Sequence, residues 1–122
     1  MEGVPEERIA MNNATFREAN ERISAAAGSY GIETPIPFIC ECSDQRCSGI
    51  IRLGLDEYEE VRANSRHFLN LPGHEVASKG AAVVVERRDG YSIVEKTGRA
   101  GEIVDALDER AVGNPQGGSS TD

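Results

Sequence analysis

At 122 residues the chain is long enough for one hydrophobic core and too short for two. Its 21 acidic and 13 basic side chains leave a formal charge of −8, which argues against a phosphate-binding face and a nucleic-acid partner. No Trp, three Phe and three Tyr, with no apolar run of about 18 residues, exclude a spanning helix and leave a thin core.

A core this sparse needs a supplement, and a bound metal is one that small domains use. The start, Met1-Glu2-Gly3-Val4-Pro5, lacks the basic region and apolar stretch of a secretory signal, so the expected location is cytoplasmic. In that reducing setting three clustered cysteines point to metal or redox chemistry rather than disulfides. Their odd number also rules out complete internal pairing. The acidic surface suits solubility and a protein partner of opposite charge.

After a flexible start over residues 1–5, the first element is a long helix from about Pro5 to Ala27. Proline suits a first helical position, and Glu6 and Glu7 complement the positive end of the helix dipole. Ile9, Phe16 and Ile23 recur every seven residues, with Ala19 and Ala26 beside them and Asn12 interrupting. That stripe fits a monomer whose helix lies across a sheet, or a helix-mediated dimer in which Asn12 fixes the register. Gly28 and Gly31 stop the helix, and Thr34-Pro35-Ile36-Pro37 reads as an extended linker.

Phe38–Cys42 follows as a strand with Phe38, Cys40 and Cys42 on one face, then a tight polar loop to Cys47 and a returning strand Ile50–Leu53. Together they make a zinc-knuckle-like hairpin. Gly54 opens a second helix, with Asp56 and Glu57 in its first turn and Leu55, Tyr58 and Val61 inward. Phe68–Leu71 reads as a short edge strand ending at Pro72-Gly73. That dipeptide is the preferred centre of a type II turn, which holds His74 at its exit.

Asp89-Gly90 marks a hairpin over Ala82–Lys96. A two-residue loop pairs Val84 with Glu95 and Glu86 with Ile93. A three-residue loop, Arg88-Asp89-Gly90, pairs Val85 with Ile93 and Val84 with Val94. The second register is preferred because it collects Val83, Val85, Tyr91 and Ile93 on one face. A last helix over Arg99–Arg110 carries Ala100, Ile103, Val104 and Leu107 at helical spacing. Residues 113–122 have nothing to bury and read as a disordered tail. The predicted class is α+β, one domain over residues 6–112. A long N-terminal helix and two short ones pack on a small, mainly antiparallel sheet.

Zinc takes four tetrahedral ligands, and thiolates with imidazole suit it. Cys42 and Cys47 have the spacing of a ligand pair, and Cys40 joins them if the chain curls at Cys42. His74 leaves a rigid turn and suits a fixed ligand. His67 is the alternative, placed near a helix C-terminus that stabilises an imidazolium without any metal. Duller readings of the cysteines are redox thiols or small buried hydrophobes. A set of Cys40, Cys42, Cys47 and His74 closes the coordination shell and leaves no place for a catalytic water. Asp56, Glu57, Glu59 and Glu60 read as a solvated acidic face. No activated nucleophile, phosphate loop or dinucleotide fingerprint occurs.

The assembled residues resemble a family of short actinobacterial proteins of uncharacterised activity. The matching pieces are Phe38-Ile39-Cys40-Glu41-Cys42 with Cys47, Glu57-Tyr58-Glu59-Glu60-Val61-Arg62, Phe68, Pro72-Gly73-His74-Glu75 and Val94-Glu95-Lys96. The resemblance spans roughly residues 16–107 and implies that Cys40, Cys42, Cys47 and His74 belong together. It implies no activity. The functional expectation is a non-enzymatic module, stabilised by structural Zn2+, that binds or regulates a protein partner. The alternatives are a thiol redox sensor that releases zinc on oxidation, and a small metallohydrolase if the fourth position is open.

Overall fold

The computed structural model describes residues 6–75, 80–108 and 110. The order is α1 (Glu6–Ser29), β1 (Ile36–Ile39), β2 (Ile50–Leu53), α2 (Leu55–Arg62), β3 (His67–Asn70), β4 (Ala82–Arg88), β5 (Tyr91–Lys96) and α3 (Gly98–Ala106). The class is α+β with a long first helix, as predicted, but the strands divide into two small antiparallel sheets. One pairs β1 with β2; the other runs β3-β5-β4. The predicted flexible start and the tail at 113–122 lie outside the described residues. Among the described residues no helix is long and apolar enough to cross a membrane.

β5, at the centre of its sheet, is covered on both faces, and the core divides about it. Leu69 and Ile93 face a cluster with Phe38, Leu53, Tyr58 and Val61. Phe68 and Val94 face a smaller one with Ile9, Ala10, Ala100 and Val104. The register produces this split, because Phe68 lies opposite Val94 and Leu69 opposite Ile93, and successive residues point to opposite faces. Phe38 and Tyr58 stack with ring centroids 4.3 Å apart, filling the larger cluster with few side chains.

α1 runs slightly past its predicted end. Its close is a Schellman motif: Ile32 N–H donates to Ala27 O (3.0 Å) and Gly31 N–H to Gly28 O (3.2 Å), with Gly31 at φ 65°. The buried face is not the predicted stripe. Asn13, Arg17 and Asn20 are buried with Ile9, Ala10 and Ala27, whereas Phe16 and Ile23 are half-buried and Ala26 is exposed.

The inward polar side chains satisfy backbone groups that no strand reaches, and that requirement turns the helix. Asn20 Nδ2 donates to Ile39 O and its Oδ1 accepts the Ile39 N–H, both at 2.9 Å. Asn13 donates to Glu41 O (2.6 Å) and Asn12 to Ser43 O (2.9 Å). Arg17 donates to Ser65 O (2.7 Å) and Val104 O (2.8 Å). Asn12, the register residue of the dimer alternative, therefore holds a loop of its own chain.

Three further boundaries differ from expectation. The first strand is Ile36–Ile39, not Phe38–Cys42. Pro37 is tolerated inside it because Ile36, Phe38 and Cys40 point their N–H groups at β2, and Pro37 faces away. The β4–β5 loop has two residues, with Arg88 opposite Tyr91 and Glu86 opposite Ile93. Val84 still meets Val94, because Val85 is the extra residue of a bulge. The preferred three-residue loop is thus wrong, and Val83 and Val85 are exposed while Tyr91 and Ile93 are buried.

α3 ends at Ala106 rather than Arg110. Leu107 is exposed, and Asp108 turns inward to Arg62, Oδ1 to Nη2 at 2.7 Å. Arg62 Nε also lies 3.2 Å from Glu21, which accepts from Tyr58 OH (2.6 Å) and from Arg110 Nε (2.6 Å).

Asn20→Ala removes partners from both backbone groups of Ile39 and from Glu41. A loss of about 3 kcal/mol is expected in urea unfolding, at roughly 1–3 kcal/mol for each buried group left unpaired. Burial pushes the Glu21 carboxyl up, but hydrogen bonds from Arg110, Tyr58 and Arg62 outweigh it and hold it at about 2. A depressed folded-state pKa gives stability that is present above the ordinary value of 4.5 and lost as pH falls toward 2. Glu21→Gln is therefore expected to flatten the stability–pH curve between those limits, read by urea unfolding at each pH.

Candidate metal centre

The fixed point of the site is the tripeptide Cys40-Glu41-Cys42. Cys40 N–H still donates to Gly49 O (3.0 Å), and from there the chain crosses to the other sheet. Glu41 N–H donates to Leu69 O (2.8 Å), and Glu41 Oε1 accepts the Leu69 N–H (3.0 Å). Glu41 Oε2 accepts from Asn20 Nδ2 (2.8 Å). Burial pushes this carboxyl up to about 7 even with those donors in place. Neighbouring residues of an extended chain point to opposite sides. Anchoring Glu41 one way therefore turns Cys40 and Cys42 together the other way.

Two turns bring the remaining donors to them. Cys47 N–H donates to Asp44 O (3.0 Å), and Asp44 Oδ1 accepts the Arg46 N–H (2.9 Å). The Leu71–His74 turn closes with His74 N–H on Leu71 O (3.0 Å), and Gly73 at φ 86° takes the left-handed position a type II turn requires. Leu71 N–H donates to Cys40 Sγ (3.2 Å), so the histidine turn is locked to a cysteine. Gly49 makes room for this: a Cβ there would overlap Leu71 Cδ1.

The result is a cluster of Cys40, Cys42, Cys47 and His74 whose donor atoms all lie within 4.8 Å of one another, an arrangement that could hold a metal ion. His74 Nδ1 is 3.6 Å from Cys40 Sγ and 3.5 Å from Cys47 Sγ. Cys40 and Cys42 are buried, while Cys47 and His74 are half-buried. Each sulfur accepts a backbone N–H from two residues further on: Cys42 to Cys40, Asp44 to Cys42, and Gly49 to Cys47 at 3.4 Å. Such donors favour thiolate over thiol. Burial works against them, pushing Cys40 up to about 12 and raising Cys42. An ion must displace those thiol protons, so its affinity rises with pH.

His67, the alternative donor, stands elsewhere. It faces Glu95 across β3 and β5, Nε2 to Oε1 at 3.1 Å. The acids of α2 brace their neighbours: Glu57 accepts the Gly54 N–H (3.1 Å), Glu59 pairs with Arg110 and Glu60 with Arg88.

Sequence reasoning passed over Asn13, Asn20, Glu41 and the fully buried Lys96. Lys96 Nζ lies 5.8 Å from the Phe68 ring centroid, and burial lowers its pKa to about 8. One signal for Glu41 was available, since it alternates with two inward cysteines in an extended segment. Asn13 and Asn20 offered only their seven-residue spacing. No family model, curated protein or solved structure matches the chain.

The two histidines separate cleanly by substitution. His74→Ala is expected to weaken metal binding at least tenfold in a competition titration. His67→Ala should leave binding at the wild-type level and cost under about 1 kcal/mol, since it breaks only a half-exposed pair.

Proposed function

We propose that the chain is a non-enzymatic binding or regulatory module of the cytoplasm, stabilised by one structural zinc ion and acting through protein–protein contacts. The observation that carries this is the spacing of the donors. Tetrahedral zinc with Zn–S near 2.3 Å and Zn–N near 2.0–2.1 Å has N···S edges of about 3.5–3.6 Å. His74 Nδ1 stands 3.5 and 3.6 Å from two of the sulfurs. Three thiolates and one imidazole suit zinc among the divalent metals, and four protein ligands leave no site for an activated water.

Contacts with a partner are supported by an apolar groove of about 410 Å³ between the end of α1 and β1, lined by Ile23, Tyr30, Ile32, Pro35 and Pro37 among others. Exposed apolar grooves favour protein contacts. The resemblance to short actinobacterial proteins with the same cysteine pattern belongs to this proposal and adds no activity to it.

Structural zinc contributes on the order of 10 kcal/mol in small metal-binding peptides, comparable with a whole domain's net stability of about 5–15 kcal/mol. Purified chain should hold one zinc, and a strong chelator should lower its melting temperature by on the order of 10 °C or more. Unchanged melting after full metal removal would count against the structural role. X-ray absorption should find three sulfurs and one nitrogen around the ion. An oxygen in the fourth position would favour the metallohydrolase instead.

A further inference from the structure

On the premise that the cluster is a metal centre, we propose that Cys47 is a modification site for two-electron oxidants of the peroxide class. Cys42 then resolves the modified sulfur into a disulfide, and the ion is ejected.

The three sulfurs are not equivalent. Cys40 is 2% exposed and Cys42 1%, whereas Cys47 is only half-buried and follows the exposed residues Gln45 and Arg46. An oxidant therefore meets Cys47 without entering the core. Cys40 is also the most heavily bonded sulfur, with N–H donors from Leu71 and Cys42 and His74 Nδ1 at 3.6 Å. Cys47 receives a single backbone donor, Gly49, at 3.4 Å, with the same His74 Nδ1 at 3.5 Å. Donors withdraw charge from sulfur and blunt its attack, so the more accessible thiolate, with one backbone donor instead of two, reacts first.

The resolving partner follows from contact. The Cys42 thiol is within hydrogen-bond reach of both other sulfurs. Joining it to Cys40 would bend the chain across Glu41, which is fixed by bonds to Leu69 and Asn20. Joining it to Cys47 closes a loop that the Asp44 turn has already folded back.

In the first step the Cys47 sulfur attacks one peroxide oxygen, the O–O bond breaks, and hydroxide leaves and takes a proton to become water. Cys47 is then a sulfenic acid. In the second step Cys42 Sγ attacks Cys47 Sγ, the S–O bond breaks, and a second hydroxide leaves as water with a further proton. The two sulfurs lose two electrons and the peroxide gains them. Only Cys40 and His74 remain as donors, half of the four that zinc requires. The Asn and Glu41 bonds do not depend on the ion, so loosening starts at the Cys47 loop and the His74 turn, the two segments that the ion ties together. Reduction and zinc restore both.

The test uses full-length, zinc-loaded, reduced protein treated with hydrogen peroxide. Metal release is followed with a chromogenic chelator and cross-links by non-reducing peptide mass spectrometry. One zinc per chain should leave as a Cys42–Cys47 link forms, with Cys40 still a free thiol, and a thiol reductant plus zinc should reverse both. Retained zinc with three free thiols, a link through Cys40, or Cys47 driven to sulfinic acid without any link would each overturn the proposal. Metal content before peroxide separates the premises: a reduced chain that holds no metal refutes the centre itself, whereas a loaded chain that ignores peroxide refutes only the switch.

Discussion

The two sheets of this fold are joined by side chains standing in for a strand. Glu41 lies between β1 and β3, and its carboxylate takes the Leu69 N–H that a neighbouring strand's carbonyl would otherwise accept. Asn13 and Asn20 reach from α1 to the outward backbone groups of Ile39 and Glu41, where a further strand would have lain. Each such group left bare inside the protein would cost roughly 1–3 kcal/mol. Against a domain stability of about 5–15 kcal/mol, several together are decisive. A polar inner face on the longest helix is therefore a structural necessity here.

The cysteine cluster is a consequence of that clamp. Glu41 sets the direction of Cys40 and Cys42, and the Leu71 N–H on Cys40 Sγ sets the position of the turn that carries His74. Charge follows the same logic. A dication held by three thiolates would leave one net negative charge there, and Glu41 lies between two of the cysteines. Arg17 and Lys96 are buried in the same interior, 4.7 and 5.8 Å from the Phe68 ring centroid. Buried charge is tolerated where opposite charge and hydrogen bonds accompany it. These two cations answer the acidic groups that the site concentrates.

Legibility in the sequence tracked the range of the interaction responsible. Gly54 opening α2, Gly31 closing α1 and Gly73 in its turn are all local events, set within a few residues, and composition revealed them. The β4–β5 hairpin lies at the border. Both candidate registers were half right, because the Val85 bulge takes the loop of one and the Val84–Val94 pairing of the other. A bulge depends on what each face packs against, and no period-two count contains that information. Leu107 and Asp108 show the same limit, since helical spacing put leucine inside and the distant Arg62 drew in aspartate.

By itself the sequence determined that the class is α+β with a long first helix, that the apolar content is low, and which kinds of donor could meet an ion. Those properties depend on residue type and short-range order. Only the tertiary structure decided which face of α1 is buried, that His74 and not His67 stands beside the three sulfurs, and that Glu41 anchors them. Each of those outcomes is fixed by pairing a buried polar group with a partner 20 or more residues away, and such partners exist only once the chain has closed on itself.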